Sequence, residues 1–517
     1  MNILDKIKNK FFVLEKEQHL LSYFKKKDNN YKNDRNTDLV LVQGVEDSIF
    51  VLFFGTVIDV LKKRHSIKTE FYVSKSLYPG AFSGIRSFLI SIFIDNFISD
   101  MKWIKLYSSF CDKMAFKFQG STSFIVDIKL FFKAITFFKG IKTKKDLVDL
   151  KIDNVYVGDL IYDSYIRFKP SDTVDINDIY LLIVIWQALR NIYLSKQYFK
   201  MKKPKLVINT YSTYIQHGIS ARVALSYNIK VLTFGNNYSI GKFLTLDSMY
   251  QVKCHNSYKN DFLLLSDKDE KLRQAQSLLN QRLNGFVDNA TSYMKSSAYI
   301  EIIKDIPDLK DKVVIFLHHF QDAIHVYSMI FNDYLEWVEF TIRVLEENNI
   351  QYCIKPHPNK EKENKKSIAY LKSKYNAMVL SEKITNKQLV EAGIAIGISA
   401  HGTVIHELAY QGLPVIACGD NPHSSYNFYY EAKTKEEYES LIKNYKTLKI
   451  PKNYKEEIES FYYMQNLNYS DNELEAINKI NLLLWRSKLS DENVMGLIRD
   501  IKHNKSFIEF INEGMKK

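Results

Sequence analysis

Cysteine is scarce in this chain. Four are spread over 517 residues (Cys111, Cys254, Cys353 and Cys418), with no CxxC pair and no metal-ligand spacing. That excludes a disulfide scaffold and fits a reducing compartment. Long apolar runs are missing too. The most apolar stretch, Leu39 to Leu61, is broken by Glu46, Asp47 and Asp59, short of the roughly 20 residues that span a bilayer. Met1 to Lys10 is charged and has no apolar segment of signal-peptide type, so no secretory leader is expected. Arginine is sparse beside lysine, and no RNA-binding motif, internal repeat or low-complexity tract appears. Proline is limited to nine, and four of these (Pro356, Pro358, Pro414, Pro422) fall at predicted strand or loop edges. These absences leave a cytoplasmic globular protein as the expectation, with peripheral contact at the inner face of the membrane as an option.

Apolar residues make up 46% and charged residues 25%, with 34 Tyr and 33 Phe. The formal charge of +13 is unevenly placed: residues 1–250 hold 37 basic and 23 acidic groups, whereas 251–517 hold 35 and 36. The surplus belongs to the first half, which suggests that the two halves meet different partners. Residues 3–27 read as a basic amphipathic helix, either on a membrane surface or packed on its own domain.

Short apolar runs alternate with helical patterns, the signature of a parallel α/β sheet. Strands are predicted at 39–43, 69–74, 103–108, 205–210 and 229–234, with helices at 47–63, 123–138, 176–199 and 217–227. A polar, mostly helical stretch over 265–310 reads as a connector. A second series follows, with strands at 312–317, 350–355, 377–380, 393–398 and 413–417. The expected domains are 1–260, a connector at 261–310, a second α/β domain at 311–470 and C-terminal helices at 471–517. The expected fold class is α/β, with two Rossmann-like domains facing a central cleft.

Three segments carry chemistry. Ile394 to His423 (IAIGISAHGTVIHELAYQGLPVIACGDNPH) runs strand, small residues, His401-Gly402-Thr403, helix, Glu407, Gly412-x-Pro414, strand. Amides at a helix N-terminus favour phosphate oxygens, glycine permits close approach, and Glu407 is placed to accept from ribose hydroxyls. Lys355-Pro356-His357-Pro358 follows a strand directly and presents cationic or donor groups at its carboxyl edge. The loop after the strand at 312–317 clusters His318, His319, Asp322 and His325 in no standard metal pattern. It reads as a donor-contacting loop or as partly structural. Asp420 and Asn421 read either as sugar contacts or as turn residues.

The H-G, glutamate and G-x-P order resembles the nucleotide-sugar segment of GT-B glycosyltransferases. The His-Pro pair resembles that of bacterial capsule-type transferases, including Kdo- and sialic-acid-transferring families that use CMP-sugars. The resemblance is clearest over 312–440 and weaker over 156–235. It implies phosphate contacts from Ser399, His401, Gly402 and Thr403, a ribose contact from Glu407 and a donor-phosphate contact from His357, with Lys355 beside it. His318 and Asp322 fall on the donor loop. Gly158-Asp159 to Asp163 and Tyr214-x2-His217-Gly218 resemble features of the same proteins. An inverting enzyme of this kind needs a base in the first domain, for which Asp163, Asp159 and His217 are the candidates.

The expected function is a metal-independent glycosyltransferase with no cofactor. It would move a sugar from a nucleotide-activated donor, CMP-linked by preference, to a surface polysaccharide or its lipid-linked acceptor. A CDP-glycerol-type glycerophosphotransferase and a sugar-nucleotide 2-epimerase share the architecture. A basic nucleic-acid-binding protein is the non-enzymatic alternative. The basic first half suits an anionic acceptor or the anionic inner leaflet.

Overall fold

The computed structural model describes residues 12–25, 37–75, 100–169, 171–234, 241–252, 255–286, 303, 305–357, 361–469 and 491–516. Pro358 lies outside the described residues, and of the stretch 3–27 only the helix Glu15–Lys25 and the residues just before it fall within them. The chain forms two compact units. One comprises Met1–Pro170, Val174–Lys253 and Ser470–Lys517, the other Ser171–Thr173 and Cys254–Tyr469.

In the first unit the strands are β1 (Asp38–Gly44), β2 (Ile67–Val73), β3 (Lys113–Lys117), a two-residue hairpin β4 (Lys151–Ile152) and β5 (Val155–Tyr156), then β6 (Leu206–Asn209), β7 (Lys230–Thr233) and β8 (Lys242–Leu244). The main sheet runs β3-β2-β1-β6-β7-β8, parallel except for the last pair. The strand order reverses between β1 and β6, where Val40 pairs with Leu206. Parallel strands are covered on both faces and so read as continuous apolar runs, as in LVLV at 39–42 and LVI at 206–208.

The predicted strand at 103–108 is instead the end of a helix, Asp100–Tyr107. Its buried residues Trp103, Leu106 and Tyr107 recur at helical spacing. A short apolar run does not separate the two states by periodicity alone, and the third strand lies further on, at β3. The C-terminal helices Asp491–His503 and Lys505–Glu513 pack into this unit's core, where Val494, Leu497, Ile501 and Phe507 meet Phe53 and Phe234. Their amphipathic faces are buried there.

In the second unit β9 (Val313–Phe316), β10 (Tyr352–Lys355), β11 (Ile396–Ser399), β12 (Val415–Ala417) and β13 (Tyr430–Glu431) form an all-parallel sheet ordered β10-β9-β11-β12-β13. The reversal falls between β9 and β11. The predicted strand at 377–380 is reduced to a single bridge, Ile354 to Val379. The helix Lys268–Leu283 belongs to this unit, burying Ala275, Leu279 and Arg282. Both units are thus doubly wound α/β sheets, each with one switch point where ligands of such sheets bind.

Gly158 opens the helix Gly158–Phe168 against the turn that follows Val148. A Cβ there would lie 2.0 Å from Leu147 O and 2.3 Å from Val148 O, both backbone atoms. Gly158→Ala is therefore expected to destabilise the first unit by about 3 kcal/mol, the upper range of overpacking, as read by urea denaturation.

Candidate functional site

At the carboxyl edge of the second sheet, β9 runs into His318 and β11 into Ser399 and His401. The switch point brings these together. Ser399 Oγ donates to His401 O at 2.9 Å and lies 3.1 Å from His318 Nε2. The hydroxyl has one proton and spends it on the carbonyl, so His318 Nε2 is the donor to Ser399 and Nδ1 carries the lone pair. The His318 ring stacks on Tyr334 at 4.9 Å and lies 4.3 Å from the His401 ring. His401 in turn stacks on Tyr327 at 4.0 Å, and its Nε2 bonds Tyr334 Oη at 2.6 Å.

Burial depresses both histidines. His401 falls to about 4, although Asp322 and Asp420 oppose the shift. His318 falls well below 6.5, pushed by burial and then by the charges of His401 and His357. His357 is therefore close enough to bear on His318, and the His318 and His401 rings are neutral at pH 7. A neutral pair beside an anionic ligand is poised to take up a proton.

Gly402 sits at φ +104° and its N–H donates to Asn421 Oδ1 at 2.8 Å. Asn421 is fully buried, and its Nδ2 donates to Gly419 O at 2.6 Å. One of the amides expected at a phosphate is thus used to tie the H-G turn to the G-D-N loop. Thr403 caps the helix Val404–Tyr410 without a side-chain cap bond, and that helix is seven residues long. Gly402→Ala would force a Cβ into the left-handed region, while meeting only His318 Cε1 at 3.6 Å. A loss of about 1–2 kcal/mol, from backbone strain alone, is expected in thermal unfolding. Asp420 donates its N–H to Tyr327 O, and its carboxylate lies 3.3 Å from His255 Nε2.

Glu407 is not open to solvent. Its Oε1 accepts from Arg282 Nε at 3.1 Å and Nη2 at 2.7 Å, and its Oε2 accepts from Asn386 Nδ2 at 2.8 Å. Both charged side chains are nearly fully buried. This makes Glu407 an anchor between the H-G helix and the helix Lys268–Leu283, where the sequence had suggested a ribose contact.

Lys355 ends β10 and is buried. Its Nζ donates to Glu382 O at 2.7 Å, and burial lowers its ammonium to about 7 against the pull of Glu382. Asp322 is exposed, with its carboxylate 3.8 Å from His319 Nδ1. Among the described residues no group of three or more His, Cys, Asp or Glu side chains is arranged to hold a metal ion.

In the first unit, His217 sits at the switch point of β1 and β6, in a π-turn Tyr214–Gly218 that Tyr214 enters at φ +57°. Such turns store strain and recur at functional positions. Gln43, at the end of β1, orients it. The Thr210 N–H donates to Gln43 Oε1 at 3.0 Å, so Gln43 Nε2 must be the amide that meets His217 Nδ1 at 2.9 Å. His217 Nδ1 therefore accepts, and the proton rests on Nε2. Burial lowers His217 to about 4. In this tautomer Nε2 donates to an oxygen rather than removing a proton from one.

Asp159 is held by Arg222 through two bonds of 2.5 and 2.6 Å, by its own neighbour's amide (Leu160 N, 2.7 Å), and by the Tyr250 hydroxyl. With both carboxylate oxygens engaged by Arg222 and further bonds from Leu160 and Tyr250, its placement is that of a structural anchor. Asp163 lies one turn further along the same helix, fully buried, and its charge reaches Tyr156 and Tyr250. Gln43, Arg222, Tyr334 and Arg282 escaped the sequence reading. Each is an ordinary residue in its local segment, and no motif marks it.

The depressed histidines make stability depend on pH. In the unfolded chain an imidazole titrates near 6.5, but His217 and His401 hold out to about 4. The unfolded chain therefore binds the proton first. The stabilisation is complete above pH 6.5 and is lost as pH falls towards 4, at about 1.4 kcal/mol per pH unit for each histidine. With at least one such residue in each unit, both are expected to show falling denaturation midpoints between pH 6.5 and about 4.

No protein-family model and no curated protein matches the chain. Solved structures similar to it include the UDP-GlcNAc 2-epimerase of Methanocaldococcus jannaschii in complex with UDP-GlcNAc and UDP. That likeness has 10% identity over 81% of this chain and 97% of that chain, with a TM-score of 0.24. The KpsC beta Kdo 2,4 transferase of Thermosulfurimonas dismutans is 11% identical over 50% of this chain and 79% of that chain, with a TM-score of 0.31. A kitacinnamycin glycotransferase is 6% identical over 88% of this chain and 100% of that chain, with a TM-score of 0.25. At these scores the assignment of two doubly wound α/β units rests on strand order and register.

Proposed function

We propose that the chain is a group-transfer enzyme of glycosyltransferase type whose second unit holds a nucleotide-activated donor. The observation that carries this reading is the grouping of His318, His401 and Ser399 at the β9/β11 switch point, with His357 near enough to act on His318. A donor phosphate entering there would raise the pKa of His318. A proton taken up at Nδ1 turns that atom from acceptor to donor, towards the phosphate oxygen. The same proton stabilises the charge that develops on the departing phosphate as the sugar–phosphate bond breaks and the acceptor oxygen bonds to the sugar carbon, the hydroxyl proton being released to water. In the first unit, His217 Nε2–H suits an oxygen of the acceptor, and the basic surplus of residues 1–250 suits an anionic acceptor.

The test is a thermal-shift screen with CMP-, UDP-, GDP- and CDP-linked sugars and with CDP-glycerol, CMP-sugars first. A ligand at about 100 times its Kd adds about 2.7 kcal/mol to stability, so a true donor stands out. No shift with any of these donors would end the proposal. Hydrolysis of CDP-glycerol alone would move it to glycerophosphate transfer. Conversion of a UDP-sugar to its 2-epimer with no acceptor present would replace transfer by epimerisation. Binding is also expected to tighten as pH falls from 8 to 6, by up to about tenfold per unit for one proton taken up, as read by titration calorimetry in two buffers of different ionisation enthalpy.

A further inference from the structure

The helix Phe124–Gly140 of the first unit has the sequence FIVDIKLFFKAITFFKG, yet only Ala134 in it is fully buried. Phe124 is 79% exposed, Ile125 67%, Phe132 65%, Ile128 40% and Phe131 37%. At 100° per residue, positions 124, 125, 128, 131 and 132 fall within one stripe about 120° wide. The opposite side packs on the helix Ile179–Lys202, where Trp186 Nε1 donates to Asp127 O at 3.2 Å and Arg190 Nε to Asp127 Oδ1 at 2.9 Å. Arg190 thereby cancels the helix's one carboxylate. The charge left on the helix is lysine: Lys129 and Lys133 along one border of the stripe and Lys139 at its end, with Lys142 just beyond. Lys133 alone of these is partly offset, by Asp153 at 2.9 Å.

We propose that this helix docks the first unit onto an anionic lipid bilayer, lying in the interface with the Phe/Ile stripe among the acyl chains and the lysines at the headgroups. Contiguous exposed aromatic and branched side chains mark an interaction surface, and a border of lysines matches anionic headgroups in charge. Lysine stems reach from the border to the headgroup level. A second copy of the chain fits less well, because the helix's one carboxylate, Asp127, is engaged by Arg190 and the helix offers no acidic complement to the lysines of another copy. No helix among the described residues is long and apolar enough to cross a membrane, so the contact is interfacial.

The test is co-sedimentation of the full chain, without donor, with vesicles of phosphatidylcholine alone or with about one-third phosphatidylglycerol. Binding to the anionic vesicles is expected, at least tenfold weaker on phosphatidylcholine or when salt rises from about 0.1 to about 0.5 M. The triple variant Phe124→Ser/Ile128→Ser/Phe132→Ser is expected to lose binding by at least about tenfold with an unchanged melting temperature. Lys129→Gln/Lys139→Gln is expected to lose binding to anionic vesicles only. Four results would overturn the proposal: no sedimentation of the wild type with phosphatidylglycerol, full binding by the triple variant, a wild-type dimer that the triple variant dissolves, or a lowered melting temperature in the triple variant, which would show the stripe to be covered within the chain. None of these outcomes bears on donor binding, which is measured without lipid.

Discussion

His318→Gln is expected to lower donor-dependent kcat/KM by about 10²–10⁴-fold, the range lost with a positioned proton-transfer group, while leaving the fold intact. The glutamine amide reaches about where Nε2 lies and can still donate to Ser399 Oγ, which the imidazole meets at 3.1 Å. It has no counterpart to the Nδ1 lone pair and cannot titrate. The variant therefore separates chemistry from architecture. Donor binding should lose the tightening that His318 supplies between pH 8 and 6, leaving only what Lys355 contributes, and the melting temperature should stay within a few degrees. His318→Ala is the harsher change, because it also empties the stack against Tyr334 and His401. Its loss would mix cavity cost with lost chemistry. Unchanged turnover in both His318→Gln and His357→Ala would remove the switch point of the second sheet from the mechanism.

Arg282→Ala is expected to destabilise the second unit by about 3–5 kcal/mol, because it leaves the Glu407 carboxyl buried and short of two of its donors. For a unit of this size that is a fall in melting temperature on the order of 10 °C. Glu407→Ala should lose a similar amount from the other side. The double change Arg282→Met/Glu407→Leu removes both charges together and should recover most of the loss, since a buried pair contributes little net stability over well-packed apolar side chains. These numbers also separate two roles for Glu407. If Glu407→Gln keeps its stability but loses donor affinity, the carboxylate is a ribose contact. If stability falls and the remaining folded protein binds donor normally, it is the anchor that its bonds to Arg282 and Asn386 describe. Asp159→Asn tests the corresponding pair with Arg222 in the first unit, with a loss of the same order expected.

Much of the architecture is legible in local pattern. The apolar runs at β1, β6, β7, β9, β10, β11 and β12 are all read as strands, and Asp47, Asp178 and Thr385 cap helices as their types suggest. One exception is instructive. Trp103 to Ser108 is too short for periodicity to decide; the helix Asp100–Tyr107 is tied to the residue after β1 by the Val45 N–H, which donates to Tyr107 Oη at 3.1 Å. The positions of His318, Ser399 and His401 at strand ends were also readable, because a parallel sheet delivers its strand ends to one edge.

Sequence by itself determined which residues reach the carboxyl edges of two doubly wound sheets, since that follows from period and strand order along the chain. What those residues do there was decided only by tertiary structure. Gln43 sets the tautomer of His217 from 174 positions away, Arg282 engages Glu407 from 125, Tyr334 bonds His401 from 67 and Arg222 claims Asp159 from 63. A buried polar group takes its protonation state and its freedom to act from the partners that replace water. Chain topology brings those partners in, and no local pattern encodes them.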